Sequence, residues 1–238
     1  SYWNDIIFSS GNTFVDSWVV AYDGAGPDLR ATKINASDAF ATRRQIASSV
    51  TTIQNEVDRA LSGDTVQVGP GTFNEQVAIG TDGITLNGSG PAMTLLVSNV
   101  TCTNQMNASA TAGVRLLGDH SNISLANFSA TGYDLGLDVG ENIGMTTTNT
   151  SVNNVIASNN CVHGILSQAG TINGMTISNV TANSNGAGFT AGRGLWFING
   201  IKSAISITDS QFNDNRLVGI DISDGNVTGA TITGHTVI

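Results

Sequence analysis

Between residues 124 and 234 one short phrase returns five times. It reads Ser124-Leu125-Ala126-Asn127, then Asn153-Asn154-Val155, Thr176-Ile177-Ser178-Asn179, Ser206-Ile207-Thr208-Asp209 and Thr231-Ile232-Thr233-Gly234. Measured on the polar residue that closes each phrase (Asn127, Asn154, Asn179, Asp209, Gly234), the steps are 27, 25, 30 and 25 residues. A repeat of this length predicts a solenoid, because one such unit cannot bury its apolar face alone and must stack on its neighbours.

The composition suits that architecture. Of 238 residues, 40% are hydrophobic and only 11% charged, which argues for an ordered chain, and 28 glycines serve many tight turns. Net charge is −9 and the basic residues are scattered apart from Arg43-Arg44, so no nucleic-acid footprint is present. An anionic polysaccharide or membrane is repelled overall, unless a local patch or a bridging cation intervenes. No apolar run approaches the ~20 residues of a membrane-spanning helix. Cys102 and Cys161, the two cysteines, fit either one disulfide or two buried thiols. Nine Asn-x-Ser/Thr triplets (at Asn35, Asn87, Asn99, Asn107, Asn122, Asn127, Asn149, Asn179 and Asn226) permit glycosylation in a secretory setting, though an Asn- and Thr-rich chain generates such triplets by chance.

Residues 1–41 do not repeat and read as an N-terminal cap or linker, with short strands at Ile6-Ile7-Phe8, Phe14-Val15 and Trp18-Val19-Val20. Ser1 suggests a processed or cut N-terminus. Residues 42–61 are expected to form a capping helix, with Ile46, Val50, Ile53, Val57, Ala60 and Leu61 on one face and Gly63 as its stop. From residue 42 to 238 the reading is one β-solenoid. Each unit carries a second phrase, Gly136-Leu137-Asp138-Val139, Gly164-Ile165-Leu166-Ser167, Gly194-Leu195-Trp196-Phe197 or Gly219-Ile220-Asp221-Ile222. Two strands and a third per unit, alternating in and out, make one coil of a parallel β-helix. Ile123 and Leu125, with Met175/Ile177 and Ile205/Ile207, are expected to point inward. Asn127, Asn154 and Asn179 should stack as an amide ladder, each side chain bonding the one above, with Asp209 and Gly234 ending it. Pro91 to Gly113, holding Cys102, reads as a loop projecting from the stack.

The stretch Thr52 to Gly90 includes Gly63-Asp64-Thr65-Val66, Pro70-Gly71-Thr72-Phe73-Asn74-Glu75-Gln76-Val77 and Ile84-Thr85-Leu86-Asn87-Gly88. It resembles the opening segment of pectin methylesterases and of surface proteins in the pectin-lyase-like superfamily. The resemblance implies an all-β fold, a right-handed parallel β-helix with an N-terminal capping helix. It carries the shared cap and first coils and says little of activity.

The esterases' later elements, a Gln-Ala-Val, a Gln-Asp-Thr, an Asp-Phe-Ile-Phe-Gly and an Arg-x-Trp, do not occur, nor does the Asp-Pro-His of alginate epimerases. Aligning the second phrase puts Asp138, Leu166, Trp196 and Asp221 in one outward slot of four successive coils. Asp138 and Asp221 are then about 14 Å apart at the ~4.8 Å strand spacing, beyond the ~5–9.5 Å of an acid/base carboxylate pair. Two solvated acids are expected. Trp196 beside Arg193 either stacks on a sugar or partner, or packs under the loop from Gly186 to Gly192. Arg193 and Lys202 are the best lyase-type bases, with no acid cluster facing them. His120, His163 and His235 are scattered and read as surface or ladder residues, without metal spacing.

No catalytic set, metal site or cofactor is predicted. The expected function is a noncatalytic extracellular or cell-surface β-helix with a structural, assembly (sheath, filament or appendage) or adhesive role. Its partner would be the chain's own continuation or a second copy docking on the C-terminal rung. The alternatives are a polysaccharide lyase, esterase or epimerase working along the Asp138–Trp196–Asp221 face, and a glycan-binding spike. No nucleic acid or membrane span enters any of these.

Overall fold

The repeated phrase falls on a single sheet in a single register. Ser124, Ser151, Thr176, Ser206 and Thr231 pair in parallel, one above the next. The structure is a computed structural model that describes the backbone of residues 17–22, 29–34 and 43–47 and all atoms of residues 52–187 and 192–234. The expected strands at Ile6–Phe8 and Phe14-Val15, His235, and part of the Gly186–Gly192 loop lie outside the described residues.

The chain opens with β1 (Ser17–Tyr22), β2 (Leu29–Ile34) and β3 (Arg43–Ala47), followed by the helix α1 (Ile53–Arg59). Then come β4 (Thr65–Val68), β5 (Gly71–Phe73), β6 (Val77–Ile79), β7 (Thr85–Asn87), β8 (Thr94–Val97), β9 (Ala112–Leu116) and β10 (His120–Ser121). The regular coils follow as β11 (Ser124–Thr131), β12 (Leu135–Asp138), β13 (Thr146–Ile156), β14 (His163–Ser167) and β15 (Thr171–Ser178). They end with β16 (Arg193–Ile198), β17 (Ile201–Thr208), β18 (Val218–Ser223) and β19 (Asn226–Thr233). The first sheet runs β1-β2-β3-β4-β7-β11-β13-β15-β17-β19 and the second β6-β9-β12-β14-β16-β18. From β3 onward these ladders are parallel. The result is a parallel β-solenoid of about six turns.

Inward columns form the core. Leu86, Leu125, Val152, Ile177 and Ile207 stand in one register column, none more than 1% exposed. Stacking like on like lets each apolar side chain remove its neighbour's surface from water along the whole tube.

Left-handed residues make the corners. Asn127, Asn154, Asn179, Asp209 and Gly234 all have φ between 48° and 74°, and so do Asn122, Asn149 and Ala204 at 49–56° one corner earlier. Asn and Asp tolerate this region because their short side chains bond locally, and Gly because it has no Cβ. At the first of these corners the amides are linked. Asn154 donates to Asn127 (2.6 Å), Asn127 to Asn87 (2.7 Å) and Asn87 to Gln67 (2.7 Å). The ladder therefore reaches two coils below the repeats in which it was expected, while Asn179 and Asp209 above share the bend. A second, buried ladder joins Asn160, Asn185 and Asn215 through side-chain bonds of 3.3 and 2.9 Å. Beside it the coils close to backbone contact at Gly113, Gly136, Gly164 and Gly194. A Cβ on Gly164 would stand 2.6 Å from the Gly194 carbonyl oxygen and 2.7 Å from that of Ala157.

The helix corrects one expectation. It spans seven residues instead of 42–61, and Ile46 lies in β3, which pairs in parallel with β4. An uncovered β4 edge would leave backbone groups unpaired, so a strand fills that place in preference to helix. The remaining apolar face is as expected: Ile53, Val57 and Ala60 are buried, though Leu61 is exposed. Thr52 caps the helix through the Asn55 N–H (3.2 Å). Glu75, from the Pro70–Val77 stretch, accepts the N–H groups of Ile53 (2.9 Å) and Gln54 (3.0 Å). The Gln54 amide in turn bonds both backbone groups of Ala78 (2.6 and 3.0 Å) and so stands in for a strand at the edge of β6.

Two substitutions test this packing. Gly164→Ala should lower unfolding free energy by about 1–3 kcal/mol through overpacking. Ala204→Gly should raise it by about 1 kcal/mol by relieving a left-handed alanine. Urea denaturation of both reads the opposite signs.

Candidate functional site

The outer face of the second sheet carries the sequence candidates in the expected slot. Arg115, Asp138, Leu166, Trp196 and Asp221 are register partners on β9, β12, β14, β16 and β18. Arg115 belongs to the file although the repeat reading did not include it. Gly113-Val114-Arg115-Leu116 has the form of Gly136-Leu137-Asp138-Val139, and that likeness was the available signal.

Part of this face is covered: Asp138 is buried, against the picture of two solvated acids, while Asp221 stays part-exposed. Residues 98–111 fold back over it as a strap instead of projecting, and the expected insertion is shortened by β8, which pairs with β5 and β11. Cys102 is disulfide-bonded to Cys161. Asp134, fully buried, accepts bonds from Thr103 Oγ1 (2.6 Å), the Asn104 N–H (2.7 Å) and the Thr111 N–H (2.8 Å). Beneath lies a second apolar cluster of Ala110, Ala112, Leu135, Val162, Leu166 and Trp196, with Met106 packed on it from the strap. Strands β12 and β14 are consequently buried on both faces, where in-out alternation was expected.

The charged members pair with one another. Arg115 Nε donates to Asp138 (2.9 Å), and its other nitrogens hold the strap carbonyls of Ala108 (2.8 Å) and Ala110 (2.9 Å). Asp138 is only 1% exposed. Burial pushes its carboxyl up to about 6, with Arg115 opposing the rise. Arg193 Nε donates to Asp221 (2.6 Å), so an acid does face this arginine. Its guanidinium lies 3.9 Å above the Trp196 ring. Trp196 therefore keeps its outward slot but is nearly buried.

His163 is no surface residue. It is fully buried, edge-on to Trp196 with ring centroids 5.1 Å apart. Its Nδ1 accepts the Arg193 backbone N–H (3.0 Å), which places the proton of the neutral ring on Nε2, 3.2 Å from Met106 Sδ. Burial, helped by Arg193, pushes its pKa down to about 3. His120 is likewise buried, its Nδ1 beside the Gly118 carbonyl (3.0 Å), and burial lowers it too. Lys202 points into the core at the position of Ile172 and Val227, its Nζ reaching the Ser223 carbonyl (3.4 Å), and burial lowers it. A base so enclosed cannot reach a polysaccharide.

Among the described residues no three His, Cys, Asp or Glu side chains are grouped to hold a metal ion, and no helix is long and apolar enough to cross a membrane. The second amide ladder also escaped the sequence reading. Its signal was the recurrence of Ser158-Asn159-Asn160, Asn183-Ser184-Asn185 and Asn213-Asp214-Asn215 at the steps of the first ladder.

No protein-family model and no curated protein sequence matches the chain. Solved structures do. The ORF18 protein of Geobacillus virus E2 is 12% identical with a TM-score of 0.47, over 78% of this chain and 47% of that one. A Parabacteroides merdae protein provisionally described as a glycosyl hydrolase is 10% identical with a TM-score of 0.46, over 79% of this chain and 97% of that one. A pectin methylesterase in complex with hexasaccharide VII is 12% identical with a TM-score of 0.37, over 73% and 63%. The chain thus spans about half the length of the viral protein. The fold itself stands on the strand pairing above.

Two expectations follow. His163, neutral when folded, contributes stability that is present above its ordinary value of 6.5 and lost as pH falls toward 3. Asp138 has the opposite sign, its contribution present below 3.8 and lost as pH rises through about 6. Between pH 4 and 6, Asp138→Asn should therefore steepen the loss of stability on acidification. His163→Gln should flatten or reverse it, as read by denaturation across pH. Separately, Cys102→Ser with Cys161→Ser should cost about 2–4 kcal/mol and raise quenching of tryptophan fluorescence as the strap loosens.

Proposed function

We propose that this chain is a noncatalytic β-solenoid module of an extracellular or cell-surface protein, serving a structural, assembly or adhesive role. Residues 42–238 form the solenoid and residues 1–41 an attached segment. One observation carries the reading. The polar side chains most able to do chemistry, Arg115, Asp138, Arg193 and Asp221, are joined in two ion pairs, the first of them held under the strap. A lyase or esterase needs such groups presented to a sugar, with an acid and a base at working distance. Here they fasten loop to sheet and coil to coil. The Cys102–Cys161 disulfide supports an oxidising compartment.

An activity screen on uronic-acid polymers, esterified and free, with and without Ca²⁺, tests the reading. No turnover is expected. Turnover that disappears in Arg193→Ala or Asp221→Ala while the circular dichroism spectrum is retained would overturn it. Small-angle scattering over a concentration series reads the assembly role, for which particle length should grow with concentration.

A further inference from the structure

The two outermost strands of the first sheet run the same way. β1 is antiparallel to β2 and β2 to β3, so two reversals restore the direction that the ladders from β3 to β19 keep. Among the described residues β1 has a strand on one side only, β2, and β19 likewise has only β17. A strand laid in parallel against either outer edge would continue the sheet without a change of sense. The β19 of one copy meets that requirement for the β1 of another.

Neither edge carries the devices by which proteins blunt an exposed strand. β1 and β19 contain no charged residue and no proline. From Trp18 to Tyr22, β1 is apolar at every position, the pattern of a strand covered on both faces. At the other end the inward columns run out into solvent. Val227 and Ile232 continue the columns of Ile172–Lys202 and Ile177–Ile207, yet they are 39% and 43% exposed where those below are buried.

Charge also differs between the two ends. β2 and β3 carry Arg30, Lys33, Arg43 and Arg44, while the acids before residue 47 all fall outside the strands. Residues 203–234 hold Asp209, Asp214, Asp221 and Asp224 against Arg216 alone. Unlike ends therefore attract, and like ends gain nothing by meeting. The second sheet offers no such opening below, because α1 closes β6 through the bonds of Gln54 to the Ala78 backbone. Extension at that end is left to the first sheet, which runs three strands past β4.

We propose that this chain assembles head to tail, β19 of one copy pairing in parallel with β1 of the next. The contact rests on the assembly role proposed above and gives it a partner, a second copy of this chain. Ten strands on the sheet path, at ~4.8 Å each, add about 48 Å of length per copy.

Variants blocked at one end test it, with mass read by light scattering over a concentration series. Ile232→Lys places a charge at the upper edge. Val19→Lys and Val20→Lys, neighbours on opposite faces of β1, each place one at the lower edge. Wild type should grow with concentration, and each variant alone should stay monomeric. An equal mixture of an upper-blocked and a lower-blocked variant should reach twice the monomer mass and stop, which also shows that each keeps its unaltered end folded. A lower-blocked variant that dimerises by itself means that upper edges pair with one another, and it overturns the proposal. So does growth of all the variants like wild type, or a mixture that stays monomeric while wild type grows. Those results leave the assembly role standing. Wild type that is monomeric at every concentration removes both.

Discussion

Each coil of this molecule must give its backbone hydrogen bonds to the coils above and below, at one spacing and in one register. That requirement sets everything else. It calls for corner residues that reach left-handed φ without strain, which is why Asn, Asp and Gly recur at fixed steps. It also demands small residues wherever two coils meet backbone to backbone, as at Gly136 and Gly164. Apolar side chains then stack in columns almost as a consequence, and the period varies between 25 and 30 only in the connections between strands.

The two sheets treat their outer faces in opposite ways. On the second, an apolar strip with Trp196 at its edge is closed off by residues 98–111, and buried charge is made tolerable by pairing. Arg115 shows the principle: one guanidinium neutralises Asp138 and binds strap carbonyls, so it links charge burial to loop placement. Asp134 does the same with neutral donors. On the first sheet the outward side chains of the coils are mostly small and polar, and several bond one another up the stack, as Ser151 does Ser124 and Asn153 does Ser178.

The register of the solenoid was legible because like residues repeat at like places; Ser124, Ser151, Thr176, Ser206 and Thr231 need only be aligned. Burial on the outer face was not. Whether Asp138 meets water depends on where residues 98–111 settle, and that segment has no repeat to align and no periodicity to read. The helix was overextended for a related reason. Ile46 and Val50 continue an apolar spacing of three and four, but the open edge of β4 outweighs that local preference in residues 43–47. His163 read as a surface or ladder residue, and only the strap and Trp196 reveal that it is enclosed.

The helix at the N-terminal end takes its first two backbone donors to a carboxylate more than twenty residues later, on Glu75. Such a lid is chemically unfinished until the winding below it has begun. Residues 52–60 released by themselves would lose that anion and, with it, much of their reason to be helical. The closure of this end and the start of the stack are thus a single cooperative event, and a cut between them removes both.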